Sequence, residues 1–433
     1  FQLSFLATWG LVYLFPVIRQ RLPYSGRMAD LILVPLCAQL AVIPAVAYYF
    51  NLLSPVSILA NLLVTYLSGA VVMLGFIALA LVLIAPLAGF CLLPAGLIIE
   101  FILLATHFCN ALPGGVLWVA TPGVLAIVLY YAGVLLLLGC PPTDPYYKQV
   151  FWAGVVLVLA FFTIVFWPPG WQNRGTLEIV FIDVGQGDSI LIKSPQGRFI
   201  LVDGGGSQFY SVGEMKLLPY LRHRGINHLD LVINTHPDSD HLLGLTEIMD
   251  RVKVDRFAYP LVMHDSPEYT GVFRQVRQQS GSWLGLQADQ VLQVEPGFNM
   301  EILHPSPEMT AAADANHLSL VIKCRYRNFS ALLMGDLDRE GLEKFAARKT
   351  AVQCNLVKVP HHGSRSSLLE GFYDRCHPQA AVITVGTNQF GHPHKEVLDE
   401  LTSLGIQVYR TDQQGAIRCT SDGSYLRIDT YLN

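Results

Sequence analysis

Apolar residues run almost unbroken through the first 170 positions and then give way to short alternating runs separated by turns. A membrane-spanning helix needs ~20 predominantly apolar residues. Leu31–Phe50, Val56–Ile84, Leu93–Leu112, Pro122–Gly139 and Val150–Trp167 meet that demand, and Phe1–Ile18 reads as the tail of an earlier helix. Pro35, Pro44, Pro86 and Pro94 are expected to kink or break these segments, which a bundle tolerates where neighbours satisfy the freed carbonyls. Pro168-Pro169-Gly170 ends the last span. Beyond it, strands are predicted at Leu177–Ile182, Ser189–Ile192, Phe199–Val202, Leu229–Asn234, Leu318–Lys323, Ala331–Met334, Leu356–Val359, Ala380–Val385 and Tyr425–Ile428. Helices are predicted at Glu214–Arg222, Leu242–Asp250, Asp338–Arg348 and Lys395–Leu404. Strands rich in Val, Ile and Leu alternating with helices mark an α/β domain with well-buried sheets. The expected organisation is an all-α polytopic membrane domain over residues 1–170 and an α/β domain over 171–433.

Composition sharpens this partition. Apolar residues make up 52% of the 433 and charged residues 14%, against roughly 25% charged in ordinary soluble domains; the mean hydropathy is +0.41. Between Leu31 and Gly170 the charged residues are Glu100, Asp144 and Lys148 alone, whereas the rest of the chain from Trp171 has ordinary soluble character. These figures exclude a disordered chain, a basic nucleic-acid-binding module and a wholly water-soluble enzyme. Glu100 reads as a buried charge within a span, either functional or interfacial. Arg19, Arg21 and Arg27 precede the first clear span, and a short basic loop tends to stay cytoplasmic, so five crossings place the C-terminal domain on the non-cytoplasmic side. The chain opens at Phe1 inside an apolar segment without a basic leader, which reads as the interior of a longer protein and not as a signal peptide. Cysteines at 37, 91, 109, 140, 324, 354, 376 and 419 stand singly, suggesting neither a zinc ribbon nor a disulfide scaffold.

The densest chemistry lies in Leu231-Val-Ile-Asn-Thr-His-Pro-Asp-Ser-Asp-His241, where an apolar strand runs into His236, Asp238, Asp240 and His241 ahead of a helix. Two imidazoles and two carboxylates on one strand-to-helix turn can converge on a cation. Zinc accepts both ligand types, and manganese favours the carboxylates. Two later strands repeat the layout, ending in Gly335-Asp336 and in Pro360-His361-His362-Gly363-Ser364. Gly185 and Gly187 allow a tight bend around Asp183, Gln186 and Asp188. Asp183, Asp188 and Asp203 read as structural residues or as outer acceptors that orient metal-bound histidines.

The order Asp183-Val-Gly-Gln-Gly-Asp188, Val202-Asp-Gly-Gly205, the His236–His241 cluster, Gly335-Asp336 and Pro360-His-His-Gly-Ser resembles the metallo-β-lactamase superfamily. More closely it resembles the ComEC family of competence DNA-uptake proteins, whose membrane domain the opening Phe1-Gln-Leu-Ser-Phe-Leu and the polytopic half also resemble. The resemblance implies an αββα sandwich with metal-dependent phosphodiesterase chemistry and two divalent cations, manganese or zinc. By that likeness His236 and Asp238 hold one metal and Asp240 and His241 the other; Asp336 bridges; His361 is the distal ligand, with His362 its rival. The superfamily's His-x-His-x-Asp-His pattern has Asp238 as its second member here. A further histidine for the first metal is expected near Asp314-Ala-Asn-His317, where His317 reads more readily as a surface turn residue, leaving that site weak.

The resemblance also implies roles and partners. Asp240 accepts a proton from the attacking water, and His392 or His394 contacts phosphate or protonates the leaving oxygen; a cap before the following helix is the competing reading for the last two. The implied setting is a multi-pass protein of the bacterial plasma membrane that admits double-stranded DNA at entry, passes a single strand and works with other competence machinery. The hydrolase domain would then degrade the strand left outside. Two alternatives remain open at this level: a channel whose soluble domain is a degraded DNA-binding or gating module, and a membrane-tethered hydrolase of small esters. A DNA channel is expected to carry basic lining; the spans supply instead Gln39, Asn61, Thr65 and His107.

Overall fold

A computed structural model describes residues 1–22, 26–139, 141–279, 281–310, 314–348 and 351–432; Cys140 and the Arg27 side chain fall outside that description. The chain forms two compact units, Phe1–Trp167 with Arg222–Gly225, and Pro168–Leu221 with Ile226–Asn433.

The first unit is helical. Gln2–Arg21, Ala29–Phe50, Ser57–Ala80, Ala85–Ala111 and Tyr147–Val165 are long and apolar enough to cross a membrane. Val124–Gly139 is shorter, with 16 residues, or about 24 Å of helix. The segment expected at Leu93–Leu112 starts at Ala85 and carries Pro94 inside it, so this proline does not break the helix. Glu100 lies on that helix with its side chain not packed against the other helices. Pro35 and Pro44 both lie within Arg27–Phe50. A proline lacks the N–H that would bond the carbonyl four residues back, here Leu31 and Leu40. The phenol of Tyr66 donates to Leu31 O (3.2 Å) and that of Tyr130 to Leu40 O (2.8 Å), with Tyr131 donating to Ala41 O (2.9 Å). Tyrosines on neighbouring helices thus replace the donors that the prolines remove.

The second unit is a four-layered α/β sandwich. One sheet has eight strands, in the order Ser282–Leu286, Arg256–Pro260, Leu231–Ile233, Phe199–Val202, Ile190–Lys193, Leu177–Phe181, Ile417–Ser421 and Arg427–Thr430. The other has seven, in the order Val291–Glu295, Phe298–His304, Val321–Tyr326, Phe329–Leu333, Leu356–Lys358, Ala380–Ile383 and Gln407–Arg410. Side chains alternate between faces along a strand. Ile179 and Phe181 therefore enter the core between the sheets, while Val180 and Ile182 pack with Leu242, Leu245 and Ile248 of the helix Ser239–Ile248. Val357, Ala381 and Ile383 likewise meet Leu342, Phe345, Val397 and Leu401 on the other outer face. Both sheets are covered on both faces, which is why their strands read as continuous apolar runs.

Helix Ser239–Ile248 packs unusually close to the loop that follows Val202. A Cβ on Gly244 would lie 2.0 Å from Gly204 O, and Gly244 N donates to Gly205 O (2.9 Å). Gly271, in the exposed helix Tyr269–Gln278, has open space where a Cβ would go. Alanine is the better helix former by about 1 kcal/mol, so Gly271→Ala is expected to raise the thermal midpoint. Gly244→Ala is expected to lower it despite the same gain, as read by calorimetry on the two variants side by side.

Candidate metal centre

Parallel pairing sets the ends of the strands that carry the site. Phe199–Val202 runs parallel to Leu231–Ile233, and Phe329–Leu333 to Leu356–Lys358 and then Ala380–Ile383. Asp203, His236, Asp336, His362 and Thr384 all lie just past the carboxyl ends of these strands, the edge where α/β sheets commonly bind ligands. Gly187 (φ 123) brings the turn before Ile190–Lys193 against Asp240, whose carbonyl would lie 2.3 Å from a Cβ there.

The rings are oriented by hydrogen bonds at Nδ1. Asp203, fully buried, accepts from Asn234 Nδ2 (2.9 Å), Thr235 N (2.7 Å), Thr235 Oγ1 (2.6 Å) and His241 Nδ1 (2.8 Å). His362 Nδ1 donates to Thr384 O (2.8 Å). Because the Thr235 hydroxyl gives its proton to Asp203, its oxygen is left to accept from His236 Nδ1 (3.0 Å). In a neutral ring the opposite nitrogen then carries the lone pair. His236 Nε2, His241 Nε2 and His362 Nε2 are all buried without a hydrogen-bond partner.

Those nitrogens face carboxylates. Asp336 Oδ2 lies 3.1 Å from His362 Nε2 and 3.3 Å from His241 Nε2, and Asp240 Oδ2 lies 3.4 Å from His362 Nε2. Ligand atoms of Asp188, His241, Asp336 and His362 all lie within 4.8 Å of one another. The His236 ring is 4.1 Å from that of His241, and His236 Nε2 is 3.6 Å from Asp238 Oδ2. On the far side, Lys358 Nζ donates to Gly335 O (2.8 Å), reaches Asp336 Oδ1 at 3.3 Å and pairs with Asp188 Oδ2. Asp188 Oδ1 accepts from the Thr384 hydroxyl.

The field of these carboxylates dominates the titration. Burial works against charge on His362, yet Asp336, Asp240 and Asp188 raise its pKa to about 10. Burial opposes His241 likewise, and Asp336 and Asp203 push it well above the ordinary value. Asp336 is held well below the carboxylate range: burial is overcome by His362, His241 and Lys358. Protons are drawn to the points where a divalent cation would sit. Inward lone pairs, clustered carboxylates and a strong negative potential fit a borderline or hard divalent ion.

The sequence-predicted residues fare unequally. Asp240, His241 and Asp336 come together, with His362 rather than His361 inside the group; His361 Nε2 stands 4.0 Å from Asp336 Oδ2 and its ring is one-quarter exposed. His236 and Asp238 form the adjoining pair. Asp188, expected to be structural or an outer acceptor, offers an oxygen to the group itself. Asp203 orients His241, and Asp183 bonds Gly185 N (3.1 Å) away from the cluster. His317 is buried and not a surface residue: its ring lies against Asp338 Oδ1 (3.2 Å) and Lys344 Nζ (3.0 Å). No contact brings it to His236 among the described residues. The His392 ring lies 5.5 Å from that of His361. His394 occupies the cap position before Lys395–Ser403 without a side-chain cap bond, and its Nδ1 accepts from Arg365 N (3.2 Å). Lys358, Thr384, Ser319 and His304 were not singled out from the sequence. Ser319 Oγ accepts from Asp336 N (3.0 Å), and His304 Nδ1 donates to Ser319 O (3.0 Å).

Comparison with known proteins agrees with this architecture. A family model for competence proteins matches residues 1–142, and one for the metallo-β-lactamase superfamily matches residues 182–372. The chain is 29% identical over 439 residues to ComE operon protein 3 of Bacillus subtilis (strain 168), covering 96% of this chain and 55% of that one. It is 28% identical over 305 residues to Competence protein ComA of Neisseria gonorrhoeae, covering 69% and 39%. With Recombination protein 2 of Haemophilus influenzae it shares 29% over 267 residues, covering 60% and 31%. The chain spans about half or less of the length of these relatives. Residues 1–142 thus match the competence protein family and residues 182–372 the metallo-β-lactamase superfamily, and the chain is similar over nearly its whole length to a competence protein.

Two outcomes follow from the supporting bonds. Asp203→Asn puts an amide where an acceptor of two hydroxyl- and imidazole-type donors is needed, and is expected to weaken divalent-cation binding about 10- to 100-fold, measured by titration calorimetry with manganese and with zinc. Burial also keeps His304 neutral, its pKa lowered to about 4 from the ordinary 6.5. Between those values the unfolded chain carries the extra proton, so stability falls as pH drops from 6.5 toward 4. His304→Asn is expected to flatten that slope in urea titrations run at successive pH values.

Proposed function

We propose that the second unit is a divalent-cation-dependent phosphodiesterase that cuts DNA as part of a competence DNA-uptake protein. The observation that carries this reading is the set of inward, unpartnered Nε2 atoms of His236, His241 and His362 around the carboxylates of Asp336 and Asp240. His241, His362, Asp336 and Asp240 or Asp188 would hold one ion firmly. His236 and Asp238 would hold a second more weakly, since His317 is engaged by Asp338 and Lys344. Carboxylates as numerous as imidazoles suit manganese as well as zinc.

When bound, such an ion supplies Lewis acidity at a phosphoryl oxygen and acidifies water. The chain's own residues do the rest. Asp240, its side chain one-third exposed at the edge of the cluster, accepts the proton of the attacking water. His392 donates a hydrogen bond to a nonbridging phosphate oxygen, with His394 behind it holding the Arg365 backbone. Lys358 holds the Asp188 and Asp336 carboxylates in place. Asp203 fixes the His241 tautomer.

The membrane unit would sit in the bacterial plasma membrane and pass one strand, with other competence proteins supplying the DNA. Counting Val124–Gly139 as a crossing, a cytoplasmic loop after Arg21 puts the hydrolase on the outer side, where it would degrade the strand that stays behind. A gating module with a degraded site is the second reading, and the engagement of His317 away from the cluster is what favours it.

The full chain in detergent, given linear DNA and manganese, is expected to release nucleotides and to stop on adding a chelator. His362→Ala is expected to cost at least 100-fold in kcat/KM, and His361→Ala distinctly less. Metal retained at one equivalent with no cleavage by the wild type would leave the gating reading in its place.

A further inference from the structure

A cavity of about 580 Å³ opens beside the metal centre, within the second unit; ligand sites commonly run ~300–1,000 Å³. Phe209, Tyr210 and Phe390 line it with rings that are 95, 44 and 68% exposed. Rings left in solvent contribute little to folding, yet the backbone that bears them is held. Ser207 Oγ accepts from Phe209 N (3.1 Å). Asn388 Oδ1 accepts from Phe390 N and His392 N (both 3.0 Å), and its Nδ2 donates to Gly386 O and His392 O (both 2.9 Å).

The charges on the lining are close to balanced. Asp412 is paired with Arg410 (2.6 Å), and Asp183 lies 3.8 Å from Lys216 Nζ. An aromatic and nearly neutral wall suits a flat uncharged group and offers little to a row of phosphates. The cavity also adjoins the chemistry: the Phe390 ring stacks on His392 at 5.6 Å, and His392 in turn lies 6.4 Å from His362.

We propose that this cavity receives an unpaired nucleobase next to the phosphodiester presented to the metal centre, so that the site takes single strands or frayed ends ahead of intact duplex. The proposal rests on the phosphodiesterase reading above and adds its substrate form. Bases inside a duplex are stacked on both faces, and only a strand with free bases offers a face to Phe209 or Phe390. Tyr210 adds a ring with a hydroxyl that can meet a base edge.

The test uses the full chain in detergent with manganese and three fluorescein-labelled phosphorothioate probes of equal length: oligothymidylate, an abasic strand and a duplex. Anisotropy is expected to show oligothymidylate binding at least about tenfold tighter than the abasic strand and tighter than the duplex. Phe209→Ala and Phe390→Ala are each expected to shrink the preference, and Phe209→Trp to restore it; circular dichroism checks that the variants fold. Equal binding of base-bearing and abasic strands, tighter binding of duplex, or a preference untouched in the double alanine variant overturns the proposal. Cleavage of an unmodified strand is measured in parallel. Base preference without cleavage keeps the cavity's role and removes the hydrolase reading, while cleavage without base preference does the reverse.

Discussion

The candidate metal centre depends on what holds the far side of each imidazole. His241 is fixed by Asp203 and His362 by the Thr384 carbonyl, so neither ring can rotate its lone pair away without leaving a buried acceptor or donor unmatched. Both anchors sit at the ends of strands paired in parallel, which ties ring orientation to sheet register. A slip of one residue would send the anchor to the opposite face. The site is therefore as rigid as the sheets that present it, and the helix Ser239–Ile248 can deliver His241 only because Gly244 lets it lie on the loop after Asp203.

Charge balance sets a second constraint. Asp188, Asp203 and Asp336 are essentially fully buried, and buried carboxyl groups are costly without partners close by. Lys358, buried to the same degree, is the fixed cation that answers two of them. Its ammonium sits on the side of Asp336 away from the imidazoles, so Oδ1 is engaged while Oδ2 stays turned toward His241 and His362. A single lysine thereby decides which oxygen of the shared carboxylate is available.

Much of this was legible in the chain itself. His236, Asp238, Asp240 and His241 lie within one turn, and the strand ends at Asp336 and at His361-His362 announce themselves by apolar runs that stop in ligating residues. Other features were hidden by sequence distance. Asp188 precedes His241 by more than a helix and two strands, and nothing local distinguishes a turn aspartate from one aimed at a cation. Lys358 sits inside an apolar strand, where its partners are supplied by segments paired only in the folded sheet. The choice between His361 and His362 is made by left-handed backbone at both positions (φ 49 and 54), which neighbouring letters do not reveal. Strands such as Arg256–Pro260 and Phe298–His304 were missed because charged and polar residues interrupt their apolar pattern, and their places are set by pairing with remote partners. The helical unit was read well for its long segments and less well at Pro94, where an unbroken helix runs through.

The tyrosine bonds at the prolines limit how the membrane unit can move. Hydrocarbon offers no substitute donor for a bared carbonyl, so drawing Val124–Gly139 away from Arg27–Phe50 would strand the Leu40 carbonyl. These two helices are in effect riveted along their length and must travel as one plank. Any relative motion inside the unit then falls to the seams between other helices.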